Sequence, residues 1–394
     1  MRRRDFLRLS AMAAGVPLVL GAAEARMRVG VIGHTGRGNY GHGLDGMWRL
    51  IPETEVVAVA DADPKGLAAA MERLKVSQGF ADYREMLQKV RPEIVAVAPR
   101  QADQHRDMVL AAIEAGAKGI YVEKPFCRSP EEADQILAAC GRRGAKLAVA
   151  HRNRYHPALP AVKRLIDGGA IGRVLEFRGR GKEDARGGAE DLWVLGSHVI
   201  NLAHYLGGDP LGCSAWIERE GHPVTRADVM DGKEGLGPLA GDSLHARYDM
   251  KCGVPFYFDS MRGAGIATKG PNFGLQVIGN AGVIDLRVDL HPLAHLLEGN
   301  PFLPTATPRT WVPISSAGPG QPEPVADMPM VAEKHVLAGR DLVAAIREDR
   351  QPLCDARQGA MTVEMICAAF ESHRQGGRRV TFPLETRANP LGML

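Results

Sequence analysis

The chain has 394 residues, 45% of them hydrophobic and 24% charged, with a formal net charge of +3. That is enough chain for two domains and a substantial core, with the composition of a water-soluble globular protein. So small a charge, with no basic run interleaved with aromatics, excludes nucleic acid as the expected partner.

Residues 1–25 read as an export signal. "MRRRDFLRLS" is a charged start, "AMAAGVPLVLGAAEA" an apolar stretch, and Ala23 and Ala25 a small-residue cleavage site. Arg3-Arg4-x-Phe6-Leu7 resembles a twin-arginine signal, with Arg2 where Ser or Thr is usual. This predicts export in the folded state by the twin-arginine machinery to the periplasm or another extracytoplasmic space. The apolar run is too short for a good membrane span, and a retained amphipathic anchor is the alternative.

Residues 26–150 alternate apolar, β-branched runs with helical patterns. "RVGVIG" (28–33), "EVVAVAD" (55–61), "EIVAVAP" (93–99), "KGIYVEK" (118–124) and "KLAVAH" (146–151) read as strands. They recur at the βαβ period, so a parallel sheet covered on both faces is expected. Among the helices between them, Ser129 reads as an N-cap, Pro130 as the first helical residue and Glu132 as the completion of a capping box. Ala133, Ile136, Leu137 and Cys140 then form one apolar stripe.

"GVIGHTGRGNYG" ends the first strand. A dinucleotide loop needs glycine at a tight turn and at the close approach to pyrophosphate, then a helix N-terminus. Gly33 and Gly38 occupy the first and last positions of G-x-G-x-x-G, while Thr35 stands at the middle one. Gly33, Thr35, Gly36, Arg37 and Gly38 are the candidate cofactor contacts, in a loop expected to open a helix. Asp61 ends the next strand, where an acid binds the ribose 2′-OH. Asp61 and Asp63 would repel a 2′-phosphate and favour NAD over NADP, with Lys65 weighing against.

Residues 151–394 change pattern. "GRVLEFRGRG" reads as a strand and "EDLWVLGSHVINLAHYL" as a helix. "LHARYDM", "VPFYFDSMRG", "LQVIGN" and "GVIDLRV" are then strands at hairpin spacing. This predicts an α+β domain with an open, mostly antiparallel sheet. Residues 301–329, rich in Pro and Gly, read as a long surface loop. In the last helix Val363, Ile366, Cys367 and Phe370 form the buried face. The six cysteines have no metal-type spacing and indicate no disulfide.

Read together, "AVADADP", "VAPRQADQH", "VEKPF", "GAIGRVLEF", a His-bearing helix ending in Gly-Gly and "DLVAAIREDRQP" resemble the Gfo/Idh/MocA oxidoreductases over nearly the whole mature chain. The resemblance implies a Rossmann domain followed by an open sheet that lines the active site, and NAD(P)-dependent chemistry on sugars, inositols and related polyols. It places Lys124 beside the nicotinamide and the reacting hydroxyl, where a lysine stabilises negative charge developing on oxygen. Pro125 restrains Lys124 to an extended conformation. Glu123 would pair with a cofactor hydroxyl or fix the lysine.

The second catalytic group implied is His198, able to take the hydroxyl proton. His198, Asn201 and Tyr205 share a helical face, which makes Asn201 a substrate-binding candidate. The Asp common in the family one turn before this histidine is Val194 here, and Asp191, two turns back, is a possible substitute. "HRNRYHP" starts where the last parallel strand ends, a ligand-binding position. There the resemblance points Arg152, Asn153 and Tyr155 at cofactor or substrate. Arg186, Glu190 and Asp191, in a charged loop, could bind hydroxyls.

The expectation is an oxidoreductase acting on a secondary hydroxyl of a sugar, inositol or polyol, a homo-oligomer through its C-terminal sheet. Free NAD is not expected outside the cytoplasm, so the cofactor should be tightly held and recycled on the enzyme. One alternative is an NAD-dependent glycosidase working by transient oxidation and elimination. A second is a non-catalytic sugar-binding protein that retains a nucleotide site.

Overall fold

The computed structural model describes residues 25–265 and 273–394. The arginine pair and Ala23 of the export-signal reading lie outside the described residues.

Strands β1 (Met27–Ile32), β2 (Thr54–Ala60), β3 (Gly79–Phe80), β4 (Ile94–Val97), β5 (Gly119–Val122) and β6 (Lys146–Val149) form one sheet in the order β3-β2-β1-β4-β5-β6. Every neighbouring pair is parallel. The winding therefore reverses between β1 and β4, the switch point at which doubly wound folds hold dinucleotides. β4 and β5 are buried along their whole length, which explains their unbroken apolar sequences. Helices α1 (Pro64–Leu74), α2 (Tyr83–Val90), α3 (Ala102–Glu114) and α4 (Pro130–Arg143) cover this sheet.

Two local expectations change. Ser129 does cap α4, accepting from the Glu132 N–H at 3.3 Å. The Glu132 carboxylate, however, turns to the Arg128 N–H at 2.9 Å and to the Arg128 guanidinium, so the capping box is open on one side. The glycine loop also opens no α-helix. Asn39, Gly41 and Gly43 take φ of +51°, +59° and +84°, which an α-helix cannot accommodate. The chain makes turns and then one short 3₁₀ helix, Gly46–Leu50.

The second sheet is built from β7 (Val174–Arg180), β8 (Pro210–Arg219), β9 (His222–Pro223), β12 (Ser243–Met250), β13 (Pro255–Met261), β14 (Gly274–Gly279), β15 (Gly282–Arg287), β16 (Ala294–Glu298), β17 (Val312–Ser315), β18 (Gly318–Pro319) and β19 (Val380–Thr381). A separate hairpin pairs β10 (Met230–Gly232) with β11 (Gly237–Leu239). Among the described residues, only β7 and β13 pair in parallel within the large sheet. Residues 301–329 are thus more than a surface loop: β17 and β18 extend the sheet at its edge.

Helices α5 (Ala158–Asp167), α6 (Ala189–Asp191), α7 (Ser197–Gly207), α8 (Met328–Glu333), α9 (Val336–Arg347) and α10 (Ala356–Arg374) complete the chain. α10 lies against the large sheet, with Ser372 Oγ receiving the Ala215 N–H and the Met365 carbonyl receiving the Tyr248 hydroxyl. α9 and α10 also return to the first sheet. A Cβ on Gly119 would lie 2.6 Å from Ile346, and one on Gly359 would lie 2.8 Å from Val149 and 2.9 Å from Phe126.

Candidate active site

The glycine loop sits at the β1/β4 reversal. Its first and last residues meet, with His34 N–H donating to the Asn39 carbonyl and Asn39 N–H to the His34 carbonyl. Gly38 has φ +88°, and a Cβ there would stand 2.3 Å from the Arg100 nitrogen. Gly41 is equally constrained, by the Ala98 carbonyl and the Glu123 side chain. At Gly36, φ +81°, a Cβ would project into open space. That backbone fits close approach by a pyrophosphate. Arg37 at the rim is paired with Asp103 of α3 at 2.7 Å.

Asp61 lies beneath this loop and is 1% exposed. Its carboxylate receives the Thr35 N–H at 3.1 Å, the Thr35 hydroxyl at 2.7 Å, the Tyr40 hydroxyl at 2.8 Å and the Asp63 N–H at 3.0 Å. Four donors use up the acceptor capacity of a carboxylate. Burial alone would raise its pKa, but these bonds outweigh it and hold the group ionised. The structure therefore places Asp61 inside the loop's own hydrogen-bond frame. Tyr40 closes over it, packed so near Gly33 that a Cβ there would lie 2.2 Å from the ring.

Lys124 follows β5 and is 4% exposed. Its N–H donates to Glu123 Oε2 at 2.6 Å, and its Nζ donates to the Val194 carbonyl at 3.1 Å. The Lys124–Pro125 peptide is cis. Glu123 is fully buried and also receives the His42 backbone N–H at 3.1 Å and the His42 ring Nδ1. Burial pushes the Glu123 carboxyl up, yet the His42 bond and the fields of His42, Lys124 and His335 bring it down to about 2. Glu123 thus joins the Lys124 backbone to His42.

His198 is the second residue of α7 and lines the same small cavity as Lys124. A π-helical segment, Leu192–Gly196, joins α6 to α7, and this segment supplies the Val194 carbonyl that holds Lys124. The residue that lacks the acid side chain thus contributes its backbone. His198 Nδ1 lies 3.3 Å from Nδ1 of His151, with the rings nearly perpendicular. Burial drives the pKa of His198 well below that of a free imidazole, assisted by His151, Lys124, Arg152 and His42. Burial, with Lys124 next, takes His151 to about 3.

The cavity is completed by His42, His335, Arg152 and Asp289, with Ala150 and Leu195. Arg152 and Asp289 form an ion pair at 2.5 Å. His335 precedes α9 at φ +58° and is 3% exposed. Its Nδ1 pairs with the Tyr121 hydroxyl at 2.7 Å, while its Nε2 is buried with no hydrogen-bond partner. Larger clefts, one beside the β10–β11 hairpin and one between His156, His291 and Pro329, contain neither Lys124 nor His198. Among the described residues no group of His, Cys, Asp and Glu is arranged to hold a metal ion.

Of the predicted substrate contacts, only Arg152 lines the cavity. Asn201 is fully buried and donates to Thr362 of α10 at 3.1 Å. Tyr155 donates to the carbonyls of Val149 and Cys354. Asn153 is buried outside the cavity lining. Asp191 receives the N–H groups of Lys182 and Glu183 and the Ser260 hydroxyl, pinning the charged loop to the start of the helix rather than serving His198. Arg186 pairs with Asp184 at 2.5 Å. The cavity residues that sequence reasoning missed are His42, His335 and Asp289, along with His151 as the partner of His198. His151 was visible as the first residue of "HRNRYHP"; the other three carried no local signal.

Residues 27–151 match the Gfo/Idh/MocA oxidoreductase family, NAD-binding Rossmann fold. The first domain is thus similar in sequence to the NAD-binding domain of that family. D-apiose dehydrogenase of Paraburkholderia graminis is 26% identical over 343 residues, covering 84% of this chain and 84% of that one. Inositol 2-dehydrogenase of Rubrobacter xylanophilus is 31% identical over 178 residues, 45% of this chain and 50% of that one. A solved levoglucosan dehydrogenase in complex with NADH and levoglucosan superposes with a TM-score of 0.71 at 22% identity, covering 91% of this chain and 99% of that one. The likeness in fold thus extends from the first domain through the open sheet.

Proposed function

We propose that this chain is a dehydrogenase acting on a secondary hydroxyl of a sugar, inositol or related polyol, with Lys124 and His198 at the reacting oxygen. The observation that carries the reading is that both side chains line one cavity at the C-terminal ends of β5 and β6, beside the switch point of an NAD-binding sheet. The named relatives, dehydrogenases of apiose and inositol, support the substrate class.

Bound NAD supplies the hydride acceptor. Lys124 spends one ammonium hydrogen on the Val194 carbonyl and keeps two donors for a substrate oxygen. Those donors stabilise negative charge developing on that oxygen, and they are already oriented when it develops. His198, buried and held neutral, offers a ring nitrogen to the hydroxyl proton. Nε2 of His335 is a further polar group for a substrate oxygen. NAD is the preferred nucleotide in this reading, because the ionised Asp61 disfavours a 2′-phosphate near the loop.

Three further parts of the reading rest on sequence. Export by the twin-arginine route follows from residues 1–25. A tightly held, internally recycled cofactor follows from that destination. Association of copies through the large sheet accords with its exposed apolar side chains, among them Leu211 and Trp216 of β8.

Mass spectrometry of the nucleotide that co-purifies, followed by its reduction in the presence of D-apiose, levoglucosan and myo-inositol, tests the reading. Reduction by at least one polyol is expected. Release of aglycone from glycosides without net reduction would replace the dehydrogenase by the glycosidase. Bound nucleotide that no sugar reduces would favour the sugar-binding protein.

A further inference from the structure

We infer that His151 is the positioning partner of His198: its imidazole, rather than a carboxylate on the helix, decides which ring nitrogen of His198 meets the substrate. The inference rests on the reading of His198 as the proton acceptor and adds how that acceptor is prepared.

The helix itself offers no acid. The Val194 side chain is apolar, and Asp191 is committed to Lys182, Glu183 and Ser260. The contact His198 does make is Nδ1 to Nδ1 with His151, at 3.3 Å. Two neutral imidazoles that meet through like nitrogens need one hydrogen between them, because two hydrogens collide and two lone pairs repel. If His198 Nδ1 carries that hydrogen, its Nε2 keeps a lone pair for the substrate. His151 Nδ1 is then the acceptor, and the His151 hydrogen sits on its own Nε2.

The surroundings keep the pair neutral. Burial does most of this; His151, Lys124, Arg152 and His42 add to it at His198, and Lys124 and Arg154 at His151, where Glu123 opposes them. Asp289 also faces the cavity, but it is neutralised by Arg152. On the third side Phe273 presents its ring edge-on to His198. A carboxylate partner would both fix the tautomer and stabilise the imidazolium. An imidazole partner does only the first. His198 is thereby an oriented but weak base, and it protonates well on the acid side of neutrality.

The test uses the full chain with His151→Asp, His151→Gln and His151→Phe. It observes the His198 ring nitrogens by ¹⁵N NMR without substrate, and the pH dependence of kcat/KM with a polyol that is turned over. The native protein should show a single Nδ1–H tautomer at His198. His151→Asp should retain that tautomer and move the protonation of His198, and with it the acid limb of the rate profile, upward by about one pH unit or more, the direction a new neighbouring carboxylate imposes. His151→Phe should give mixed tautomers and a rate lower by about tenfold or more, as a base in the wrong tautomer does. His151→Gln, whose amide oxygen can accept the same hydrogen, should restore most of the tautomer and guards against loss of fold in the Phe variant. A single unchanged tautomer of His198 in the folded Phe variant, or an unmoved titration of His198 in the folded Asp variant, would overturn the inference. Because the NMR measurement needs no substrate, it decides the role of His151 even if no polyol is turned over.

Discussion

Lys124 is fixed at both ends, its N–H on Glu123 and its Nζ on the Val194 carbonyl. Lys124→Met keeps the bulk of the stem and removes every donor. It should leave NAD bound and abolish detectable hydride transfer, measured by nucleotide titration and by NADH absorbance. Retained turnover would move the oxygen-binding role to His335. Asp61 invites a different test, since its buried carboxylate holds four donors together. Asp61→Asn turns an amide NH₂ toward some of them and should lower stability by about 2 kcal/mol. It should also narrow the preference for NAD over NADP, because the loop loses its negative charge. Chemical denaturation reads the first effect and calorimetric titration of both nucleotides the second; an unchanged preference would show that the charge does not act at the nucleotide. Lys124 and His198 were legible because each stands in a recognisable string beside a strong secondary-structure signal. Asn201, Tyr155 and Asp191 were assigned from position along the chain. Position identifies a face but not what lies across from it, and each of the three faces protein.

The π-helical segment Leu192–Gly196 does the most for the geometry of the site. A π turn widens the helix and offsets its carbonyls, a feature often found at functional positions. Here it sets the Val194 carbonyl on Lys124 while α7 carries His198 toward His151. Gly196 permits this, since a Cβ at that position would lie 2.6 Å from the Phe258 ring. Gly196→Ala should displace the segment from β13, lower kcat by roughly tenfold or more through loss of alignment, and leave NAD affinity unchanged. Unaltered kcat would mean the helix absorbs the methyl without moving its carbonyls. The five parallel strands were readable because burial on both faces leaves an uninterrupted apolar code. Two-residue β3 was too short to carry one. The missing α-helix after the glycine loop has a physical cause as well: glycines that suit a phosphate contact also break a helix, here at 41 and 43. β17 and β18 hid in a Pro- and Gly-rich segment because strands at a sheet edge tolerate proline.

At the scale of the whole molecule, the two sheets are not independent, since α10 packs on the large sheet and also reaches β6, while α9, further along the same half of the chain, packs on β5 and β6. Their return across the first sheet, and the Tyr121–His335 bond that joins positions 214 residues apart, put the cavity at a junction that neither half completes alone. This junction also buries histidines. Burial, foremost, lowers His151 to about 3, and His156 and His335 to about 4. In the unfolded chain such groups titrate near ~6.5. Below that pH the unfolded chain binds protons that the folded chain refuses. The three groups therefore contribute stability that is fully present above pH ~6.5 and is lost as pH falls through 4 to 3. Glu123, lowered to about 2, acts in the same direction in a more acid window, below the ordinary carboxylate range. With His198, which burial also lowers well below the free value, four protons are taken up on unfolding, a slope of at most roughly 5.5 kcal/mol per pH unit. Against a typical stability of about 5–15 kcal/mol, that slope should unfold the protein at mildly acid pH. Denaturant midpoints measured from pH 7.5 downward should be level near neutrality and then fall steeply below pH ~6. His335→Gln, which removes one of the four titrating histidines, should reduce the slope by about one proton, roughly a quarter. A stability that stays level down to pH ~4.5 would mean that these histidines accept protons in the folded state, and that the cavity is wetter and more open than its packing shows.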